Sequence, residues 1–257
     1  MPTVQEIAAA IAERTNQEGA PEWDPVGIQL GDPRSAVGRV AVCHEVTEAV
    51  VAALEEEPVD LLVSYHPLLF TPTNRVLAGR SAGARSYRLI RAGVSLLITH
   101  TDFDAAPGGT ADALAAFFDL HDVRRFGADP EIGLPDIGRY GAFEGTLGTV
   151  DAMIVNDFGP SGVRISGHQD MVVESVAVVP GSGSSLIEAA AEVADVLVTG
   201  DVSHHRVVAA ADLGLAIADP GHVATERPGM RPLVEMVRAV ADAEVVDLTG
   251  IDPRTWG

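Results

Sequence analysis

Short runs of consecutive apolar residues, each followed at once by polar side chains, constrain the fold of this chain more than any other feature. Three occur in DLLVSYHP at 60–67, SLLITHTDFD at 95–104 and DVLVTGDVSHH at 195–205, and a fourth precedes DPGHVATE at 219–226. Helical patterns lie between them. Such alternation is typical of a buried, largely parallel sheet. We therefore predict an α/β fold with a ligand site at the carboxyl ends of its strands.

The middle of the chain differs from both ends. Glycine and proline recur every few residues after residue 126, and a further strand with a Gly/Ser turn is predicted in VESVAVVPGSGSS at 173–185. The turn lacks the lysine and the spacing of a phosphate-binding loop, so we interpret it as a plain turn. We predict a first α/β unit at 1–123 plus about 224–257 and a second at 124–223, both with mostly parallel sheets.

Charge and composition exclude several classes of protein. The 257 residues carry a net charge of −20, and all 17 basic residues are arginine. So acidic a surface repels phosphate backbones, which argues against general nucleic-acid or anionic-membrane binding. The single Cys43 cannot form an intrachain disulfide, and we find neither a secretory signal nor an apolar run of membrane-spanning length. We expect a cytoplasmic protein.

Three histidines follow apolar strands closely, and two of them have a carboxylate four residues on. These are His66, His100 with Asp104, and His222 with Glu226. Imidazole and carboxylate together are the ligands of Zn, Mn, Fe, Co or Ni, and two carboxylates could bridge two ions. Each histidine alone could equally be a strand-end residue bonded to backbone. The recurrence of the pattern predicts a metal site.

Other polar residues near these motifs have open roles. His204 and His205 begin a predicted helix and could orient a ligand, contact substrate or bind metal. His44 follows a strand and could lie near the same crevice. Arg75 and Arg227 come after the first and last histidine motifs and could pair with a phosphate.

Five segments in order resemble the GTP cyclohydrolase 1 type 2 homologue family, also called NIF-three-like proteins. They are WDPVGIQLGDP, VSYHPLLF, ITHTDFDAAPGG, VTGDVSHH and GHVATER, and they extend from Trp23 to Arg227. The resemblance implies two related α/β units, a dinuclear divalent-metal site in the cleft between them and a ring-shaped homohexamer. Carried over by motif, the ligands are His66, His100, Asp104, His222 and Glu226, with Glu226 as the bridge.

One position departs from the bacterial pattern of the family. Many bacterial members have two histidines before the proline, whereas this chain has Tyr65, as eukaryotic-type members do. A phenol ligates a metal only when deprotonated, and its usual pKa is about 10. The resemblance with this YHP variant therefore implies one or two ions, with Tyr65 as a candidate catalytic hydrogen-bond donor.

These motifs predict a metal-dependent hydrolase that acts on a nucleotide or another small phosphorylated molecule. Two alternatives stay open. The first is a non-catalytic metal-handling protein or metallochaperone, because an acidic assembly attracts cations. The second is a partner-binding protein, which the family name implies.

Overall fold

The chain divides into two units, each built on its own sheet. The structure is a computed structural model that describes residues 1–15, 19–79, 81–159 and 162–252. The first unit comprises Met1–Ala106 and the chain from Met230 onward, and the second comprises Pro107–Gly229. The sequence-based division, at 123/124 and about 223/224, differs from this one. Residues 107–123 group with the second unit because the helix and strand that they contain contact its sheet.

The first unit contains a five-stranded sheet in the order β1-β4-β3-β2-β11. Its strands are β1 (Gly27–Leu30), β2 (Arg39–Cys43), β3 (Leu61–Ser64), β4 (Ser95–Ile98) and β11 (Glu244–Asp247). β11, β2, β3 and β4 are parallel neighbours, and β1 is antiparallel to β4. Every residue of β3 and β4 is buried, as their uninterrupted apolar sequences predict.

Helices of the first unit supply two apolar clusters that pack with this sheet. They are α1 (Val4–Thr15), α2 (Glu48–Glu56), α3 (Ala82–Arg91) and α4 (Thr101–Ala105). α1 buries Val4, Ile7 and Ile11 at helical spacing. α2 begins after Thr47, whose side chain caps the helix by accepting a hydrogen bond from the amide of Val50.

The second unit contains a six-stranded mixed sheet in the order β5-β6-β8-β9-β10-β7. Its strands are β5 (His121–Phe126), β6 (Gly138–Thr146), β7 (Arg164–Ser166), β8 (Val172–Val178), β9 (Val196–Val198) and β10 (Ala216–Asp219). β8, β9 and β10 are parallel, whereas β5, β6 and β7 pair antiparallel with their neighbours. The predicted α/β class is confirmed in both units.

Helices of the second unit alternate with these strands. They are α5 (Thr110–Phe117), α6 (Leu147–Phe158), α7 (Ile187–Ala191), α8 (His204–Asp212) and α9 (His222–Ala241). The unit boundary divides α9, whose first residues belong to the second unit. Within the described ranges, no helix combines the length and hydropathy that a membrane crossing requires.

We predict that the buried strands carry the stability of the first unit. Leu62 on β3 is fully buried, whereas Leu77 in the following loop is 66% exposed. Leu62→Ala should lower the free energy of unfolding by about 2–5 kcal/mol, because it leaves a cavity between packed side chains. Leu77→Ala should change it by less than about 0.5 kcal/mol. Urea denaturation of both variants provides the comparison, and equal losses would contradict the prediction.

Candidate metal-binding residues

Three neighbouring parallel strands of the first unit end level with one another, and polar side chains follow each of them. His44 comes directly after β2, Tyr65 and His66 after β3, and His100 two residues after β4. The ladder continues past the strand ends, since the amide of His66 donates to the carbonyl of His44 over 2.9 Å. Backbone pairing therefore fixes where each of these side chains starts.

The imidazole rings at this edge lie against one another. The ring centroids of His66 and His100 are 5.3 Å apart, and those of His44 and His66 are 4.8 Å apart. Ring nitrogens of His44 and His66 come within 4.8 Å of each other. Imidazoles this close can share a cation as ligands. The sequence left His44 at the margin of the site, whereas the structure places it beside the two predicted ligands.

A buried carboxylate holds the ring of His100 in place. Asp24, in the turn before β1, lies 2.9 Å from Nδ1 of His100 through Oδ1 and accepts hydrogen bonds from the amide and hydroxyl of Thr101 through Oδ2. Burial raises the pKa of Asp24, but the hydrogen bonds from His100 and Thr101 outweigh it and keep the pKa below its usual value. Asp24 is therefore an anion that orients the ring of His100.

Tyr65 reaches the second predicted carboxylate of this edge. Its side chain is fully buried, and its hydroxyl donates to Oδ1 of Asp104 over 2.6 Å. Asp104 lies in the short helix α4, beyond His100, and is itself buried. Because the phenol serves as a hydrogen-bond donor, it orients the carboxylate of Asp104.

The second unit repeats the arrangement of a histidine held by a carboxylate. His222 opens α9 just beyond β10, and its Nδ1 lies 2.8 Å from Oδ2 of Asp201, which follows β9. Its Nε2 lies 3.0 Å from Oε1 of Glu226, one helical turn further on. Hydrogen bonding to Glu226 and the charges of both carboxylates raise the pKa of His222 to about 9, although burial opposes this.

A glycine turn packs against this pair. Gly181, three residues after the end of β8, has φ +65°, and its amide donates to the hydroxyl of Thr225 on α9 over 2.9 Å. A Cβ atom at Gly181 would lie 2.8 Å from Oε1 of Glu226 and 3.2 Å from Nε2 of His222. The GSG sequence interpreted as a plain turn thus lines the His222–Glu226 pair.

The predicted ligands fall into two sets, one in each unit. His66, His100 and Asp104 follow strands of the first sheet, and His222 and Glu226 follow β10 of the second. His204 and His205 are exposed at the start of α8, where His205 lies 3.3 Å from the hydroxyl of Ser203. That these sets bind metal stays a prediction.

Sequence reasoning missed the two carboxylates that hold the histidines, Asp24 and Asp201. Both occur in segments that carry the family resemblance, WDPVG and TGD, but their distance along the chain from the histidines concealed the pairing. Asp24 is 76 residues from His100, and Asp201 is 21 residues from His222. The signal available in the sequence was an acidic residue in a turn beside the predicted site.

Comparisons with known proteins agree on the family and the fold. The family model described as Duf34/NIF3 (NGG1p interacting factor 3) matches residues 2–253. A protein of Streptomyces coelicolor named GTP cyclohydrolase 1 type 2 homolog is 34% identical over 237 residues, covering 89% of this chain and 83% of that protein.

Solved structures show the same fold. Reduced HcgD from Methanocaldococcus jannaschii is 27% identical and superposes with a TM-score of 0.81, covering 96% of this chain and 98% of that one. A Bacillus cereus protein related to NIF3 has a TM-score of 0.87 at 20% identity, covering 100% of this chain and 99% of that one, and shows likeness of fold alone.

We predict that Cys43, the last residue of β2, is chemically inert in the native protein. Its side chain is fully buried, and burial raises the pKa of the thiol to about 12. At about pH 8 an exposed thiol is partly ionised and reacts readily with Ellman's reagent. Cys43 should react only after unfolding in guanidinium. Release of one equivalent of thionitrobenzoate from the native chain within minutes would contradict this.

Proposed function

Because the chain belongs to the Duf34/NIF3 family, we propose that it binds one or two divalent metal ions and uses them to hydrolyse a nucleotide or another small phosphorylated molecule. The observation that carries the proposal is a pair of histidines that are each held at Nδ1 by a carboxylate. The buried Asp24 holds His100, and the more exposed Asp201 holds His222. In metal-binding histidines, the N–H of the ring nitrogen that does not bind the metal commonly donates a hydrogen bond to a carboxylate. This arrangement orients both rings, and at His222 a bound ion would take the place of the proton between Nε2 and Oε1 of Glu226.

The donor chemistry fits a transition ion. We propose that His66, His100 and Asp104, with His222 and Glu226, are the ligands, and that His44 is a further candidate. Neutral nitrogen with carboxylate oxygen suits Zn, Mn, Fe, Co or Ni better than the all-oxygen sites of Mg or Ca.

The chain's own residues then have separate tasks. Asp24 and Asp201 orient imidazoles, and the Tyr65 hydroxyl holds one oxygen of Asp104. A bound divalent ion supplies Lewis acidity, which activates water and polarises the bond to be cleaved. Arg75 and Arg227 are exposed and are the candidates to pair with the substrate's phosphate.

Metal retention tests the ligand set directly. Metal-free protein is incubated with each of Zn, Mn, Fe, Co and Ni, separated from free ion and analysed by mass spectrometry of the metal. The wild-type chain should retain one or two ions. His66→Ala and His222→Ala should each weaken binding by more than about tenfold, since loss of an orienting partner alone costs that much. His168→Ala is the control, because His168 is exposed and outside both sets.

Turnover decides between hydrolysis and metal handling. The loaded protein is offered GTP, other nucleotides and simple phosphate esters. Product formation that His66→Ala abolishes would support the hydrolase. Metal retention without turnover of any compound would overturn it. Fast, reversible metal exchange in that case would favour the metal-handling alternative, which the net charge of −20 supports through its attraction for cations.

Gly181 offers a second test with a matched control. Gly181→Ala places a Cβ against the His222–Glu226 pair, whereas Gly214→Ala, at φ +76°, meets nothing within 4 Å. Both variants should lose about 1 kcal/mol of stability in urea, because alanine is strained at positive φ. Only Gly181→Ala should also weaken metal binding. Equal metal affinity in the two variants would count against a role for this pair.

We also propose, on the family resemblance, that the chain assembles into a homohexamer in the cytoplasm. The free, buried Cys43 is compatible with a reducing compartment. Native mass spectrometry measures the assembly directly, and a monomer at micromolar concentration would contradict it.

A further inference from the structure

Two large aromatic side chains of the first unit are exposed beside the histidine edge. Trp23 is 45% exposed and Phe70 is 53% exposed, and their ring centroids lie 6.3 Å apart with the planes inclined at 61°. The Phe70 ring centroid is also 6.4 Å from that of His100. Exposed aromatic surface is unfavourable in water, so a pair of such rings next to a polar site indicates contact with a ligand.

The backbone beneath both rings is held firmly. Gln29 of β1 bonds the residue before Phe70 twice: its side chain accepts from the amide of Leu69 over 2.8 Å and donates to the carbonyl of Leu69 over 3.2 Å. Trp23 precedes Asp24, which is buried and bonded to His100 and Thr101. The rings therefore stand on hydrogen-bonded backbone and remain about half exposed, which is the arrangement that preorganised binding requires.

We propose that Trp23 and Phe70 form a stacking platform for the planar heterocyclic ring of the substrate, next to His100. The inference rests on the proposed hydrolase function and makes its substrate class more specific: a compound with a heteroaromatic ring rather than a simple sugar phosphate. Stacking of a base on an aromatic side chain strengthens binding by about fivefold or more and tolerates many ring types. Because the two ring planes are inclined at 61°, a planar ligand could stack on one ring and meet the other at an angle.

Tryptophan fluorescence gives a direct readout of this platform. The chain has two tryptophans, so Trp256→Phe leaves Trp23 as the reporter. Guanosine 5′-monophosphate and ribose 5-phosphate are titrated as probes, with and without metal. Both contain ribose and a 5′-phosphate, but only the first carries the guanine base. The guanine nucleotide should quench Trp23 and bind at least about fivefold more tightly than the sugar phosphate. Equal affinities of the two probes would overturn the proposal.

Variants separate stacking from a structural effect. Phe70→Ala in the same background should lower the affinity for the guanine nucleotide several-fold and leave that for ribose 5-phosphate unchanged. Ile90→Ala is the matched control, since Ile90 is 54% exposed on α3 and should alter neither. Trp23→Leu, followed by calorimetry, repeats the test without the reporter. Metal content and thermal midpoint identify any variant that is merely misfolded.

The ring preference and the competing explanation are read in the same assays. Tighter binding of cytidine 5′-monophosphate or a pterin than of ribose 5-phosphate would also support a ring platform. If Phe70→Ala changes the oligomer size measured by native mass spectrometry but leaves the nucleotide affinity unchanged, the two rings cover a subunit contact. That result would overturn the proposal. Retained metal without ring discrimination overturns this inference alone, whereas ring discrimination without retained metal overturns the proposed function alone.

Discussion

The level ends of three parallel strands are the constraint on which the candidate site of the first unit depends. β2, β3 and β4 are paired so that Cys43, Ser64 and Ile98 stand opposite one another. The residues that directly follow these three positions therefore lie at the same edge of the sheet, although they are far apart along the chain. The cost is that the strands are buried on both faces, and their apolar sequences meet that requirement. The second unit applies the same principle at β8, β9 and β10.

Alignment alone does not make an imidazole a good ligand, because the ring can rotate and exchange tautomers. The two carboxylates, Asp24 and Asp201, remove that freedom at His100 and His222. They differ in setting: the Asp24 side chain is fully buried, whereas that of Asp201 is 60% exposed. A buried, hydrogen-bonded anion interacts more strongly with its partner than a solvated one.

The sequence predicted the apolar strands β3, β4, β8, β9 and β10 and the α/β class, because these features follow from local patterns of polarity. It also indicated which histidines end up beyond strands. It could not predict the unit boundary at Ala106, since that depends on which sheet the following helix contacts. Nor could it pair Tyr65 with Asp104, 39 residues apart, because that hydrogen bond exists only once the strands are aligned.

Trp23 and Asp24 are joined by one peptide bond, so the proposed stacking platform and the carboxylate that orients His100 are covalently coupled. Asp24 is anchored to His100, and Trp23 presents a half-exposed indole. An insertion or a change of backbone angle that reoriented the Trp23 indole would also displace the Asp24 carboxylate. The His100 imidazole would then lose the hydrogen bond that orients it. Evolution of new ligand preferences is thus discouraged at this turn. Substitutions around Phe70 are less constrained, because its loop is hydrogen-bonded to Gln29 rather than to a histidine.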